Sequence, residues 1–471
     1  MKILRFVAVA TMLFSLTANA QKKLTIEDVS GMNRAIYPSS LRNLQWMGTS
    51  ERFTYQENNA ILVRKISQVT SDTLIRLKDF NQILKSANFD TLSRIPLFNW
   101  LDGETMTYSV QNKVYKVNIT NKTASQVNSY PEEAENLDPR TDGLLIAYTI
   151  KNNQNIPQAG KQIQVTSDEN PGIVNGQTVH RNEFGIYKGT FFSPDGNYLA
   201  YYHKDESMVT DYPLVNIDSR VAEVENTKYP MAGMTSEQVT LVIYNIAAGS
   251  FVTLKTGEPA DQYLTSVTWS PDEKEIYIGI LNRGQNHLKL NKYDVSTGDL
   301  KQTLFEEKNE KYVEPEHPLY FVNGNPGQFI WFSERDGYQH LYLYSTDGTL
   351  IRQLTQGEWM VTSLIGMDPK GTKAIFLATK NSPLNEDVFS VNIKNGKLQP
   401  LSLNTGVHSP IMSIDGRYLL DVYSDTLVCR EYDVIDAQGK VLQVISRSDN
   451  PLDHYVSCKN SIIKLYAADS T

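Results

Sequence analysis

A phrase that returns eight times constrains what this chain can fold into. It joins a large apolar residue, a short turn rich in Ser, Pro, Asp and Gly, and an alternating strand of aromatic or β-branched residues. Its clearest copies are Phe192-Ser193-Pro194-Asp195-Gly196-Asn197-Tyr198-Leu199-Ala200-Tyr201 and Trp269-Ser270-Pro271-Asp272-Glu273-Lys274-Glu275-Ile276-Tyr277-Ile278. Weaker copies start near Trp46, Trp100, Leu137, Val322, Met367 and Met412. Proline presets φ for the turn, Asp-Gly supplies the reversal, and the alternation gives a strand with one buried face. A second phrase follows about twenty residues later, an aromatic-rich strand closing in an Asp-Gly or Asn-Gly turn, as in Leu341 to Gly348 and Val388 to Gly396. Two hairpins per unit make a four-stranded blade, and blades in a ring make a β-propeller.

The sequence therefore predicts an all-β β-propeller of about eight four-stranded blades, with seven and one misread copy as the alternative. The repeat averages about 56 residues, above the ~40–45 of an ordinary blade. The excess concentrates between Ala200 and Trp269, which places an insertion near 201–265. The segment Thr73 to Ser86 fits a helix or a strand and loop equally well.

Composition removes several function classes. The 471 residues carry Lys+Arg 45 against Asp+Glu 53, a net charge of -8. A nucleic-acid binder would show a basic footprint instead. Residues 1–20 read as a signal peptide: Lys2 and Arg5 lead an apolar run from Phe6 to Leu16, and Ala18-Asn19-Ala20 forms a cleavage site. The run is too short for a stable anchor, so no membrane anchor is expected. An exported, periplasmic protein follows. The two cysteines, Cys429 and Cys458, read equally well as one bridge or two separate thiols.

Catalytic patterns are missing. The sequence holds no Gly-x-Ser-x-Gly elbow, no His-x-x-x-His pair, no Cys-x-x-Cys and no phosphate-binding glycine loop. No metal site and no cofactor are expected, and the seven scattered histidines read as surface or satisfied structural residues. One stretch breaks the strand rhythm: Gly176 to Thr190 mixes charged, amide and aromatic residues with glycines just ahead of the best blade phrase. Polar loops on rigid β-scaffolds often hold ligands. The alternative is a surface pairing of Glu183 with Arg181 or Lys188.

Several runs occur in the order found in one family. Val179-His180-Arg181-Asn182-Glu183-Phe184-Gly185-Ile186, Met208 to Val215, Lys228 to Gly233, Leu281 to Asn286 and Ser333 to Tyr342 resemble the bacterial dipeptidyl peptidase IV family, serine peptidases of the prolyl oligopeptidase type. The resemblance implies an eight-bladed propeller preceding a C-terminal α/β-hydrolase domain, in enzymes that release X-Pro or X-Ala dipeptides. It assigns Glu183, with Asn182 as a weaker contributor, to the substrate's free α-ammonium. The family often has two adjacent glutamates where this chain has Asn182-Glu183. No counterpart of the family's carbonyl-gripping arginine is found, and Tyr312 to Phe321 lacks the Phe-Arg pair of some animal members.

The expected organisation is thus a signal peptide (1–20), a lead-in (21–45), a propeller (46–450), and a truncated connection (451–471) toward a hydrolase domain that this chain does not carry. Without the Ser-Asp-His triad, the chain is expected to be inactive by itself. The expected function is substrate gating and N-terminus recognition for an exported serine exopeptidase. The alternative is a non-catalytic periplasmic propeller that binds peptides or a protein. Expected partners are peptides with a free N-terminus, and the resemblance allows for a homodimer.

Overall fold

The computed structural model describes residues 22–469, apart from 32, 49–50, 141, 159–160 and 457–460. The signal-peptide reading and Cys458 lie outside the described residues; Cys429 is half-buried.

Among the described residues, eight antiparallel sheets of four or five strands follow one another along the chain, each blade completed before the next begins. Blade 1 spans Arg42–Trp46 to Asp72–Arg76, blade 2 Phe98–Trp100 to Thr123–Ser129, and blade 3 Glu135–Pro139 to Lys161–Gln164. Blade 4 runs from Ile173–Asn175 to Ser250–Thr253, and blade 5 from Tyr263–Trp269 to Leu300–Lys308. Blade 6 covers Tyr320–Val322 to Leu350–Gln353, blade 7 Val361–Met367 to Leu398–Pro400, and blade 8 Val407–His408 to Val441–Ser448. The eight-bladed expectation holds. Every copy of the first phrase, including the faint ones at Trp46 and Val322, lies where a blade's first strand turns into its second.

The serine of the phrase has a definite task. Ser193, Ser270 and Ser413 each accept the backbone N–H of the residue five positions on, at 3.0, 3.0 and 3.1 Å. Asp272 and Asp415 in turn accept the hydroxyls of Ser270 and Ser413. The turn thus satisfies its own polar groups before the second strand begins.

The tryptophans that end first strands reach back to the preceding blade. Trp100 donates to Thr54 Oγ1 at 2.8 Å, Trp269 to the Phe191 carbonyl at 3.1 Å, and Trp46 to the Ile411 carbonyl at 2.8 Å. The last of these joins blade 1 to blade 8. Among the described residues that closure uses no exchanged strand: it rests on a cluster containing Trp46, Phe53 and Tyr55 from one side and Leu420, Tyr432 and Val434 from the other. Burying such side chains contributes on the order of 1.5–3 kcal/mol each. Outside the ring, Lys22–Lys23 pairs in parallel with Tyr455–Val456.

Thr73 to Ser86 combines both of its readings. A strand, Asp72–Arg76, runs directly into a helix, Leu77–Ser86, whose Phe80, Ile83 and Leu84 fill the seam between blades 1 and 2. Between the second and third strands of blade 4 projects a two-stranded arm, Asp211–Asn216 with Glu223–Lys228.

Candidate functional site

Blade 4 interrupts its own first strand. Ile173–Asn175 pairs with residues 203–205, Thr190–Phe192 pairs with 199–201, and residues 176–189 loop out between them. Both ends of the loop are tied to one residue: Gly176 donates to the Tyr202 carbonyl, and Tyr202 donates to the Gly189 carbonyl, each at 2.9 Å. The missing strand rhythm therefore marks a loop fixed at its neck.

Within the loop, buried and exposed residues divide the work. Val179, His180, Phe184 and Ile186 are buried; Arg181, Asn182 and Glu183 are exposed. Val179 and Ile186 enter the seam between blades 4 and 5, and Phe184 the seam between blades 5 and 6. His180 and Phe184 both pack on Tyr263, with ring centroids 4.9 and 5.1 Å away. Arg283 donates to the hydroxyl of that tyrosine. His180 Nε2 accepts the Leu264 backbone N–H at 3.2 Å, so the imidazole proton sits on Nδ1, facing Glu237 at 3.6 Å. Burial pushes the His180 pKa down, which keeps the ring neutral.

The backbone between these anchors is unusual. His180, Arg181 and Asn182 have φ of 53, 56 and 61°, and Phe184 has 57°. Each left-handed non-glycine residue costs roughly 1–2 kcal/mol, and a run of them persists only where the surroundings impose it. Its result is to lift the Glu183 side chain into a cleft of about 430 Å³ shared with Tyr187, Gln285, Glu314, Glu316 and His317.

Glu183 is available for a ligand there. Among the described residues its carboxylate has neither an ion pair nor a side-chain hydrogen bond. Arg181 instead donates to the Lys228 carbonyl and covers the Tyr229 ring, while Lys188 pairs with Asp138 at 2.9 Å. The surface pairing weighed in the sequence does not form. Asn182 lines the same cleft beside Glu183.

The sequence reading missed Glu314 and Glu316, which approach from the connection between blades 5 and 6. Their signal is a Glu-Pro-Glu-His-Pro run, 314–318, that interrupts the repeat. Burial and the charges of Glu314 and Glu316 push the neighbouring Glu334 carboxyl above its ordinary value. The cleft is therefore electronegative and suits a cation. Among the described residues no arginine lines it; Arg335, nearby, is committed to Glu307, Ser333 and Tyr344. Among the described residues, no group of three or more His, Cys, Asp or Glu is placed to hold a metal ion.

A fold of this form has known counterparts. Residues 99–429 match the family model described as the dipeptidyl peptidase IV (DPP IV) N-terminal region. The chain belongs to this family. A Bacteroides ovatus protein assigned as a dipeptidyl aminopeptidase IV shares 37% sequence identity and a TM-score of 0.87, over 96% of this chain and 66% of that one. Porphyromonas gingivalis dipeptidyl peptidase 4 shares 25% identity and a TM-score of 0.74, over 90% of this chain and 62% of that one. Trichophyton rubrum dipeptidyl peptidase 4 is 27% identical over 327 residues, 65% of this chain and 42% of its own length. The chain spans about half the length of the fungal relatives it matches.

Proposed function

We propose that this propeller recognises the free N-terminus of peptides for a dipeptidyl peptidase IV-type exopeptidase, with Glu183 as the group that binds the α-ammonium. One observation carries the reading: an unpaired carboxylate held by a strained, well-anchored loop in an electronegative cleft. Such a fixed carboxylate measures distance from the chain end, because only an N-terminal residue can bring an ammonium to it. A hydrogen bond to a charged group contributes about 1.5–3 kcal/mol. Asn182 contributes less, as a neutral amide alongside.

The reading extends to two further points. Residues 1–20 would direct export, checked by the N-terminus of the secreted protein. The arm, with Tyr212, Leu214 and Val215 exposed, suits a second copy of the chain, checked by the solution mass with and without the arm.

Calorimetric titration with a Gly-Pro-containing peptide and its N-acetylated form tests the central claim. The free amine should bind about tenfold more tightly, equivalent to ~1.4 kcal/mol. Glu183→Gln should abolish that preference, and Asn182→Ala should reduce it. Equal affinity for the two peptides would overturn the reading.

A further inference from the structure

The run of left-handed residues ahead of Glu183 is anchored on both sides, by His180 beneath and Phe184 beyond, yet its centre lies on the surface. The centre is Arg181, and it is held by the arm. Its guanidinium donates to the Lys228 carbonyl and lies 4.5 Å from the centroid of the Tyr229 ring. Those two residues form the point where the arm returns to the blade. Lys228 Nζ pairs with Asp211 at 3.0 Å and donates to the Val209 carbonyl at 3.0 Å, and Tyr229 N–H bonds the Thr210 carbonyl at 3.0 Å. The arm base is thus closed on itself and offers Arg181 a firm seat.

Two consequences follow for Glu183, two residues along. The Arg181 backbone is kept left-handed, which sets the direction in which the carboxylate leaves the loop. The guanidinium is also drawn toward the arm, so it does not neutralise Glu183. We infer that Arg181 is a positioning residue for N-terminus recognition, coupling the arm base at Lys228–Tyr229 to the carboxylate of Glu183. This rests on the reading of Glu183 given above.

The sign of the effect separates positioning from simple electrostatics. Removing a cation near an ammonium site should strengthen ammonium binding by Coulomb's law. Loss of a positioning group should weaken it.

The experiment measures the affinity ratio between the free-amine peptide and its N-acetylated form, on the full chain. Arg181→Ala and Tyr229→Ala should each lower the ratio about fivefold. Tyr229→Phe, which keeps the ring, should restore the ratio lost in Tyr229→Ala. The double variant Arg181→Ala/Glu183→Gln should be no worse than Glu183→Gln alone, because Arg181 acts through that carboxylate. Tyr229 is 45% exposed, so its variants test the coupling without a core defect. A ratio unchanged or raised in Arg181→Ala, with Glu183→Gln still losing the preference, overturns the inference alone. A Glu183→Gln variant that keeps the preference overturns the underlying reading and the inference with it.

Discussion

Blades 4 and 8 both break their first strand, and they use the break in opposite ways. In blade 8 only Ser409 and Pro410 separate Val407–His408 from Ile411–Met412, and both pieces pair with the same second strand. Ser409 still donates to the Val422 carbonyl at 2.9 Å, so the ladder is nearly continuous. The short break buries charge. His408 Nδ1 lies 2.6 Å from Asp421 Oδ2 and its Nε2 3.0 Å from the Asn404 carbonyl, with Asp387 at 3.9 Å and Asp433 on the next strand. In blade 4 the break runs from 176 to 189 and lifts its charge out into a cleft. The same interruption in a strand thus yields either a structural polar nest or a presented carboxylate. What decides is whether the intervening chain is long enough to leave the sheet.

The largest test of this contrast is His408→Ala. It removes the cation-capable partner from a buried group of carboxylates: Asp421 and Asp433 each already have one oxygen without a hydrogen-bond partner. Breaking a buried pair from one side costs about 3–5 kcal/mol. A matching fall in unfolding free energy, with the free-amine preference retained in the folded protein, is expected. A loss under 1 kcal/mol would show that the nest does not hold blades 7 and 8 together.

Gly185→Ala probes the other break. Gly185 has φ +68°, and a Cβ there would stand 1.9 Å from the Glu316 backbone oxygen. The left-handed conformation alone costs an alanine roughly 1–2 kcal/mol, and the clash must move the loop, because the obstacle is backbone. Thermal unfolding should show a loss of about 2–3 kcal/mol. The diagnostic change is in the peptide titration, where the free-amine preference should disappear. A variant that keeps the full preference would mean that the loop tolerates displacement and that its strain does not direct Glu183.

The two breaks also differ in how legible they were. The blades could be read because each copy of the phrase does the same local chemistry: Ser270 and Ser413 cap their turns alike, and Trp46 and Trp269 bridge seams alike. Repetition turns weak signals such as Val322 into a count. Glu183 was singled out only through resemblance, since its stretch obeys no period. The interruption itself was hidden: Ile173–Asn175 is only three residues, too short for alternation to show. Glu314 and Glu316 lie 131 and 133 positions from Glu183 and meet it only because the ring brings blades 4 to 7 around one cleft. Arg181 looked like a partner for its neighbour Glu183, but it is bound to Lys228, 47 residues away. Contacts set by the packing of blades, loop and arm against one another leave no local pattern.

The smallest expected effect separates the breaks by pH. Burial, followed by the charges of Glu431 and Asp421, raises the Asp433 carboxyl to about 7, far above its ordinary value. A folded-state value above the unfolded one means that the native protein binds the extra proton. That contribution is complete below about pH 4 and is lost as pH rises toward 7. His408 acts in the same direction: burial alone would lower its pKa, but the hydrogen bond and charge of Asp421 raise it, so its stabilising charge is lost at the alkaline end. Asp433→Asn removes the first of these costs. It should stabilise the protein by about 1–2 kcal/mol more at pH 8 than at pH 5, as read by chemical denaturation at both values. The free-amine preference should be unmoved by this variant, because the nest faces the seam between blades 7 and 8, not the cleft. An equal effect of Asp433→Asn at both pH values would show that Asp433 is ionised throughout, and the buried break would then tolerate charge as readily as the exposed one.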